Sequence, residues 1–174
     1  MAIPFLLEPF EPISNLAISG RVVRSLSSLT VEYTLTGAIE DLNVPPAKDT
    51  PPTRRDHLWE GTCFEVFIGL PDSPCYWEVN ASPNGDWNVY RFEDYRQAMT
   101  AEPACKKIAS TWQPLTKGYY LTLELPTEEW LAVDQPLESG VSTVLKKDEL
   151  SHWALTHPGE APDFHRRDSF KLTV

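Results

Sequence analysis

A period of two limits the fold of this chain more than any other feature. Between Leu58 and Arg96 the sequence reads LWEGTCFEVFIGL, PDSP, CYWEVNASP, NGDW, NVYRFEDYR. Successive side chains of a strand face opposite sides of its sheet. In the first run Phe64, Val66, Ile68 and Leu70 fall on one side, and Cys63, Glu65 and Phe67 on the other. The all-apolar side is the one whose burial drives folding. In the second run Cys75, Trp77, Val79 and Ala81 form the apolar set, and Tyr76, Glu78 and Asn80 the polar set. Pairing through the PDSP turn puts Glu65 on one face with Tyr76, Glu78 and Asn80. The stretch therefore predicts a three-stranded meander with a solvent-facing surface rich in aromatic and acidic groups. The third run, Trp87 to Phe92, has no clean alternation and is assigned no face.

The same period recurs elsewhere. Val31, Tyr33 and Leu35 alternate with Glu32, Thr34 and Thr36. Tyr119, Leu121, Leu123 and Leu125 alternate with Tyr120, Thr122 and Glu124, and Phe170, Leu172 and Val174 repeat the pattern at the end. Further strands are predicted at 18–26, 106–112, 140–146 and 151–156, with an edge strand or arm within 1–14. Sixteen Pro exclude a helical bundle, because Pro breaks helix interiors. Helix is expected only as one turn over 127–131, with Thr127 as its N-cap, and as a short piece around Tyr95 to Met99. The fold class is all-β: a jelly-roll-like β-sandwich of two antiparallel sheets, with about nine or ten strands and one domain over 1–174. Residues 43–57, NVPPAKDTPPTRRDH, cannot join a sheet interior. They form either one wall of a site that begins at Trp59 or a plain surface connection.

A net charge of −10 argues against nucleic acid as a partner, and it discourages an anionic membrane surface. No apolar run is long enough to span a bilayer. The N-terminal MAIPFLLEPFEP lacks the basic start of a secretory signal, and three Cys give no paired framework. A reducing cytoplasm is the expected setting. The oligomeric state is left open.

Three runs together carry a resemblance: LWEGTCFEVFI, YWEVNASPNGDWNVYRFEDYR and the tail HWALTHPGEAPDFHRRDSFKL. They resemble DOMON-like proteins, relatives of the family 9 carbohydrate-binding module, and most of all a cytoplasmic bacterial subgroup. The likeness covers about half of the chain. It implies a β-sandwich that holds a sugar between Trp rings while acidic and amide groups bond its hydroxyls. The spacing of Trp59 and Glu65 is similar to that module's sugar-contacting pair, and Trp153 is the best match for a second Trp. Haem-binding relatives use axial Met and His. Here the only Met residues are Met1 and Met99, so no haem is expected. No Asp- and Asn-rich loop repeats at calcium-ligand spacing.

A sugar presents an apolar C–H face ringed by hydroxyls, so its site needs an aromatic platform and a few fixed polar groups. Trp59, Glu65, Tyr76, Glu78, Asn80 and Trp153 supply these types and are the candidate ligand-binding residues. Trp59 could equally fill the core at a strand entrance. Glu65 stands in mid-strand among apolar neighbours and, if buried, needs a partner; Arg91 or Arg96 could be that partner. Glu65 and Glu78 could instead form the acid/base pair of an enzyme acting on a sugar-like substrate. A third alternative is a protein–protein interaction module using the aromatic face. His152, His157, Asp163 and His165 are weak metal-ligand candidates, because their spacing matches no strong motif. Cys63 has only negative neighbours and reads as an inert thiol.

Overall fold

The alternating runs fold as expected into strands, and the sheet they build is longer than the sequence suggested. The computed structural model describes residues 2–174. Its strands are β1 (Ala2–Pro9), β2 (Leu16–Arg24), β3 (Ser28–Gly37), β4 (Cys63–Gly69), β5 (Tyr76–Ala81), β6 (Trp87–Phe92), β7 (Thr100–Ala101), β8 (Ala109–Leu115), β9 (Gly118–Pro126), β10 (Glu138–Lys146), β11 (Leu150–Ala154) and β12 (Leu172–Thr173). They form one 12-stranded path, β7-β6-β5-β4-β10-β11-β1-β2-β3-β9-β8, with β12 paired to β10. Every ladder between strands is antiparallel. The count exceeds the expected nine or ten partly because β7 is a two-residue strand too short to leave a periodic trace, while the alternating run at the chain's end forms only the two-residue β12.

Strand β1 joins the two halves of this path. Residues Ala2 to Leu7 pair with β2, while Glu8 and Pro9 pair with Ala154 and Trp153 of β11. The sheet curls so that the apolar sides of its halves meet. Tyr33 of β3 lies edge-on to Phe64 of β4 at 5.0 Å, and Trp112 of β8 reaches the same ring at 5.5 Å. The Tyr33 hydroxyl donates to the Glu65 carbonyl at 2.8 Å. Ile18, Val31, Phe64, Val66, Ile68, Trp77, Val79, Leu121 and Leu123 belong to one continuous core. Each fully buried side chain of this kind contributes about 1.5–3 kcal/mol.

Of the two expected helical pieces, the first is reduced to a lone turn and the second does not form. At 127–131 the amides of Trp130 and Leu131 both donate to the Thr127 carbonyl, which makes a single turn. Residues 95–99 form a tight turn in which Arg96 and Ala98 both have φ of 53°. Among the described residues helix is limited to two 3₁₀ turns, Leu58–Glu60 and Arg167–Ser169. The strand expected at 106–112 begins only at Ala109. No helix among the described residues is long and apolar enough to cross a membrane.

The loop over residues 43–57 lies along β6. Arg54 makes a bridge to Trp87, stacks on its ring at 4.5 Å and donates to Asn88 Oδ1 at 2.7 Å. It is a packed surface connection.

Candidate functional site

The register of the central strands assembles one face. Glu65 pairs with Asn80, and Phe67 with Glu78. Asn80 pairs with Asn88, Glu78 with Tyr90 and Tyr76 with Phe92. On the other side Ser142 pairs with Glu65 and Val144 with Cys63, and Val144 in turn pairs with His152. Residues directly opposite in a ladder share a face. Glu65, Tyr76, Glu78 and Asn80 therefore lie together, as the alternation predicted.

That face is not solvent-facing. All seven residues of β4 and all six of β5 are buried on both sides. The covering layer is the chain before β12. Phe164, His165 and Phe170 pack on Phe67 at centroid distances of 6.5, 5.2 and 5.7 Å. Arg167 fastens this layer. Its guanidinium donates to the carbonyls of Ser73 (2.9 Å), Cys75 (3.3 Å) and Leu70 (2.9 Å), and it pairs with Glu138. Gly69 leaves room for it, since a Cβ there would overlap the guanidinium.

Between the cover and the strands remains an open pocket of about 480 Å³, within the rough range of 300–1,000 Å³ of small-molecule sites. Glu65 and Glu78 are on its floor. Trp59, Phe92, Phe164, Val144, Leu150, Met99 and Pro162 supply apolar lining, and Arg96, His152 and His165 complete it. Trp59 is held by the 3₁₀ turn, edge-on to Tyr90 at 5.8 Å and to His57 at 5.2 Å. Arg96, which lines the pocket, has φ of 53°. Such left-handed non-glycine residues concentrate at ligand sites.

The polar groups form a chain. The amide of Arg96 donates to the Tyr76 hydroxyl at 3.1 Å, which leaves that hydroxyl to donate to His165 Nδ1 at 2.8 Å. His165 Nε2 then carries the hydrogen and faces Glu78 Oε2 at 3.7 Å. Burial, with the Arg96 charge added, lowers the His165 imidazole to about 4, so it is neutral at pH 7. Burial pushes the Tyr76 hydroxyl up to about 12. Asn80 Nδ2 donates to Glu78 Oε1 at 2.9 Å, and Ser142 Oγ to Glu65 Oε2 at 3.4 Å. Burial raises Glu65 well above the usual carboxylate range, and the Glu78 charge raises it further. Burial also raises Glu78. Burial, then the two acids, push the Cys63 thiol well up.

The sequence candidates divide in three. Trp59, Glu65 and Glu78 line the pocket. Tyr76 and Asn80 are fully buried behind it and orient His165 and Glu78. Trp153 does not belong to it. Its ring is 1% exposed in the core, because β11 turns His152 to the pocket and the next residue to the opposite face. No guanidinium pairs with Glu65 among the described residues, and Arg96 instead donates to Asp163 Oδ1 at 2.9 Å. Burial works to raise the Asp163 carboxyl, but the bonds from Tyr95 and Arg96 outweigh it and hold it low. The four suggested metal ligands do not converge. His157 bonds the Glu8 carbonyl, His165 bonds Tyr76, and no set of three His, Cys, Asp or Glu groups among the described residues could hold a metal. Phe92, Phe164, Val144 and Leu150 carried no signal in the sequence beyond being apolar.

No protein-family model matches the sequence, and no curated protein matches it. Solved structures do resemble its fold. A protein of Bacteroides uniformis proposed to bind carbohydrate has a TM-score of 0.67 at 10% identity, over 94% of this chain and 83% of its own. A family 9 carbohydrate-binding module of Caldicellulosiruptor kristjanssonii in complex with glucose has a TM-score of 0.50 at 10% identity, over 88% of this chain and 72% of its own. The module in complex with cellotriose scores 0.51 at 8% identity, over 87% and 71%.

Proposed function

We propose that the pocket binds a saccharide or a similar small polyol and that the chain is a non-catalytic binding module. One observation carries this reading. Glu65 is buried on the floor of an open, aromatic-lined pocket with no guanidinium upon it. A carboxyl kept in that state lacks hydrogen-bond partners, and sugar hydroxyls, which both donate and accept, supply them and also bring an apolar face for Trp59. The likeness in fold to modules solved with glucose and cellotriose supports the same reading. In it, the two halves of the curled sheet act as the layers of a jelly-roll-like sandwich of DOMON type. The protein works in a bacterial cytoplasm, where Cys63, Cys75 and Cys105 stay free thiols.

The test is calorimetry against glucose, cellotriose and a panel of other soluble sugars. Saturable binding is expected, and Trp59→Ala should weaken it about tenfold while the fold persists, the worth of one stacking contact. A folded protein that is silent across the panel refutes the reading. A second reading, an enzyme using Glu65 and Glu78 as an acid/base pair, is favoured by the raised carboxyls alone. It requires turnover of a glycoside that disappears in Glu65→Gln.

A further inference from the structure

We infer that the saccharide taken by this pocket carries a protonated amine, so that the site selects an amino sugar over its neutral counterpart. This rests on the saccharide reading and adds the charge of the ligand to it.

The warrant is the set of unmade contacts on the floor. Glu65 is 2% exposed and Glu78 5% exposed. Glu65 receives Ser142 on Oε2 and Glu78 receives Asn80 on Oε1. Among the described residues no N–H or O–H donor reaches Glu65 Oε1. Besides Ser142, only the Cys63 thiol bonds this carboxyl, a weak donor that also lies against the Phe64 carbonyl and Asn80 Oδ1. Glu78 Oε2 has only His165 Nε2, at 3.7 Å, beyond hydrogen-bonding distance. Neither free oxygen is sealed from the pocket. Two acceptors on neighbouring strands thus open into one space.

Burial raises both carboxyls, and the Glu78 charge raises Glu65 further, so the pocket by itself favours holding a proton on the pair. A neutral sugar would leave that proton in place, whereas a cation would displace it and pair with the ionised acids. No group facing the pair fully offsets its charge. His165 and His152 are both lowered by burial, and His165, at about 4, is neutral at pH 7. Arg96 lines the pocket and its charge favours the ionised form of both acids, but its guanidinium donates to Asp163 at 2.9 Å. An ammonium brings three donors and the missing positive charge. Its hydrogen bonds to carboxylates are about twice as strong as neutral ones. Trp59 offers a ring face to the same cation. The net charge of −10 favours approach of a cation rather than an anion.

The experiment compares three sugar classes on the intact protein by calorimetry at about pH 6.5, where an amine is protonated. Glucosamine, galactosamine and mannosamine are titrated beside the matching hexoses and N-acetylhexosamines. At least one amine should bind roughly tenfold or more tightly than both its neutral counterparts. The preference should shrink towards unity in Glu65→Gln and Glu78→Gln, each isosteric and each checked for fold by circular dichroism. The wild-type comparison stands without either variant. Equal or tighter binding of the neutral sugars overturns the amine inference and leaves the saccharide reading intact. An amine preference that survives both substitutions overturns the assignment to these carboxylates. No saturable binding in any class overturns both readings.

Discussion

Glu65 is held in a state that favours a ligand over stability. Its carboxyl is buried, receives a long hydrogen bond from Ser142 and a weak one from the Cys63 thiol, and faces a second acid. Its folded pKa lies above the ordinary value of 4.5, so the native state binds its proton more tightly than the unfolded chain does. The stability that proton confers is complete below the unfolded value and is lost as pH rises through the raised native one. Glu65→Gln removes the titration and keeps the shape. It should raise the melting temperature above wild type at pH 7 to 8, and the gap should close at about pH 4, where both carboxyls are protonated. A variant less stable than wild type at neutral pH would mean that the charge is satisfied where it stands. Glu65 was legible in the sequence because a charge among Phe64, Val66 and Phe67 conflicts with its surroundings. Trp153 was misplaced because the resemblance supplied a residue type without parity. In a strand, one step along the chain exchanges pocket for core.

At the level of elements, the strands were legible and the cover was not. Alternation located β3, β4, β5 and β9, since each has one all-apolar face. β6 gave no pattern because five of its six residues are buried, on both faces. The 155–171 segment that buries the second face has no period to read. Phe164, His165 and Phe170 pack it on Phe67, and one arginine fastens its end. Arg167 meets three carbonyls and Glu138 in a space that only glycine at 69 leaves open. Arg167→Ala strands those carbonyls and should cost about 2–3 kcal/mol. The loss should be local before it is global. Hydrogen exchange should accelerate over 162–171 well before β3 and β9 are affected, and sugar binding should weaken with it because Phe164 and His165 line the pocket. Gly69→Ala should reproduce the effect through steric exclusion. Uniform exchange across the sheet in either variant would show that the cover is not a separate unit.

The whole molecule couples its two halves through polar as well as apolar contacts, and one of the polar contacts ends at the site. Tyr33 is fully buried in β3, on the half remote from the pocket, and its hydroxyl reaches the Glu65 carbonyl at 2.8 Å. Arg24 of β2 also donates to the carbonyls of Ala132, Val133, Gln135 and Val174, and Phe5, Tyr33, Phe64 and Trp112 are in edge contact at 5.0 to 5.5 Å. β1 stitches the halves along the chain by pairing with both β2 and β11. A shared core and a shared strand make independent unfolding of either half costly, since each would expose the other's apolar face. Tyr33→Phe keeps the ring packing and deletes the hydroxyl. It should lower stability by about 1–2 kcal/mol, the worth of one buried hydrogen bond with its acceptor left unpaired. The denaturant midpoint should fall with the slope unchanged. Tryptophan fluorescence and far-ultraviolet circular dichroism should still report one coincident transition. Fluorescence is apt for this, because Trp112 sits in one half while Trp77, Trp87 and Trp153 sit in the other. Two separated transitions would show that the curl is two independently stable layers. The site on β4 would then owe its geometry to its own half alone.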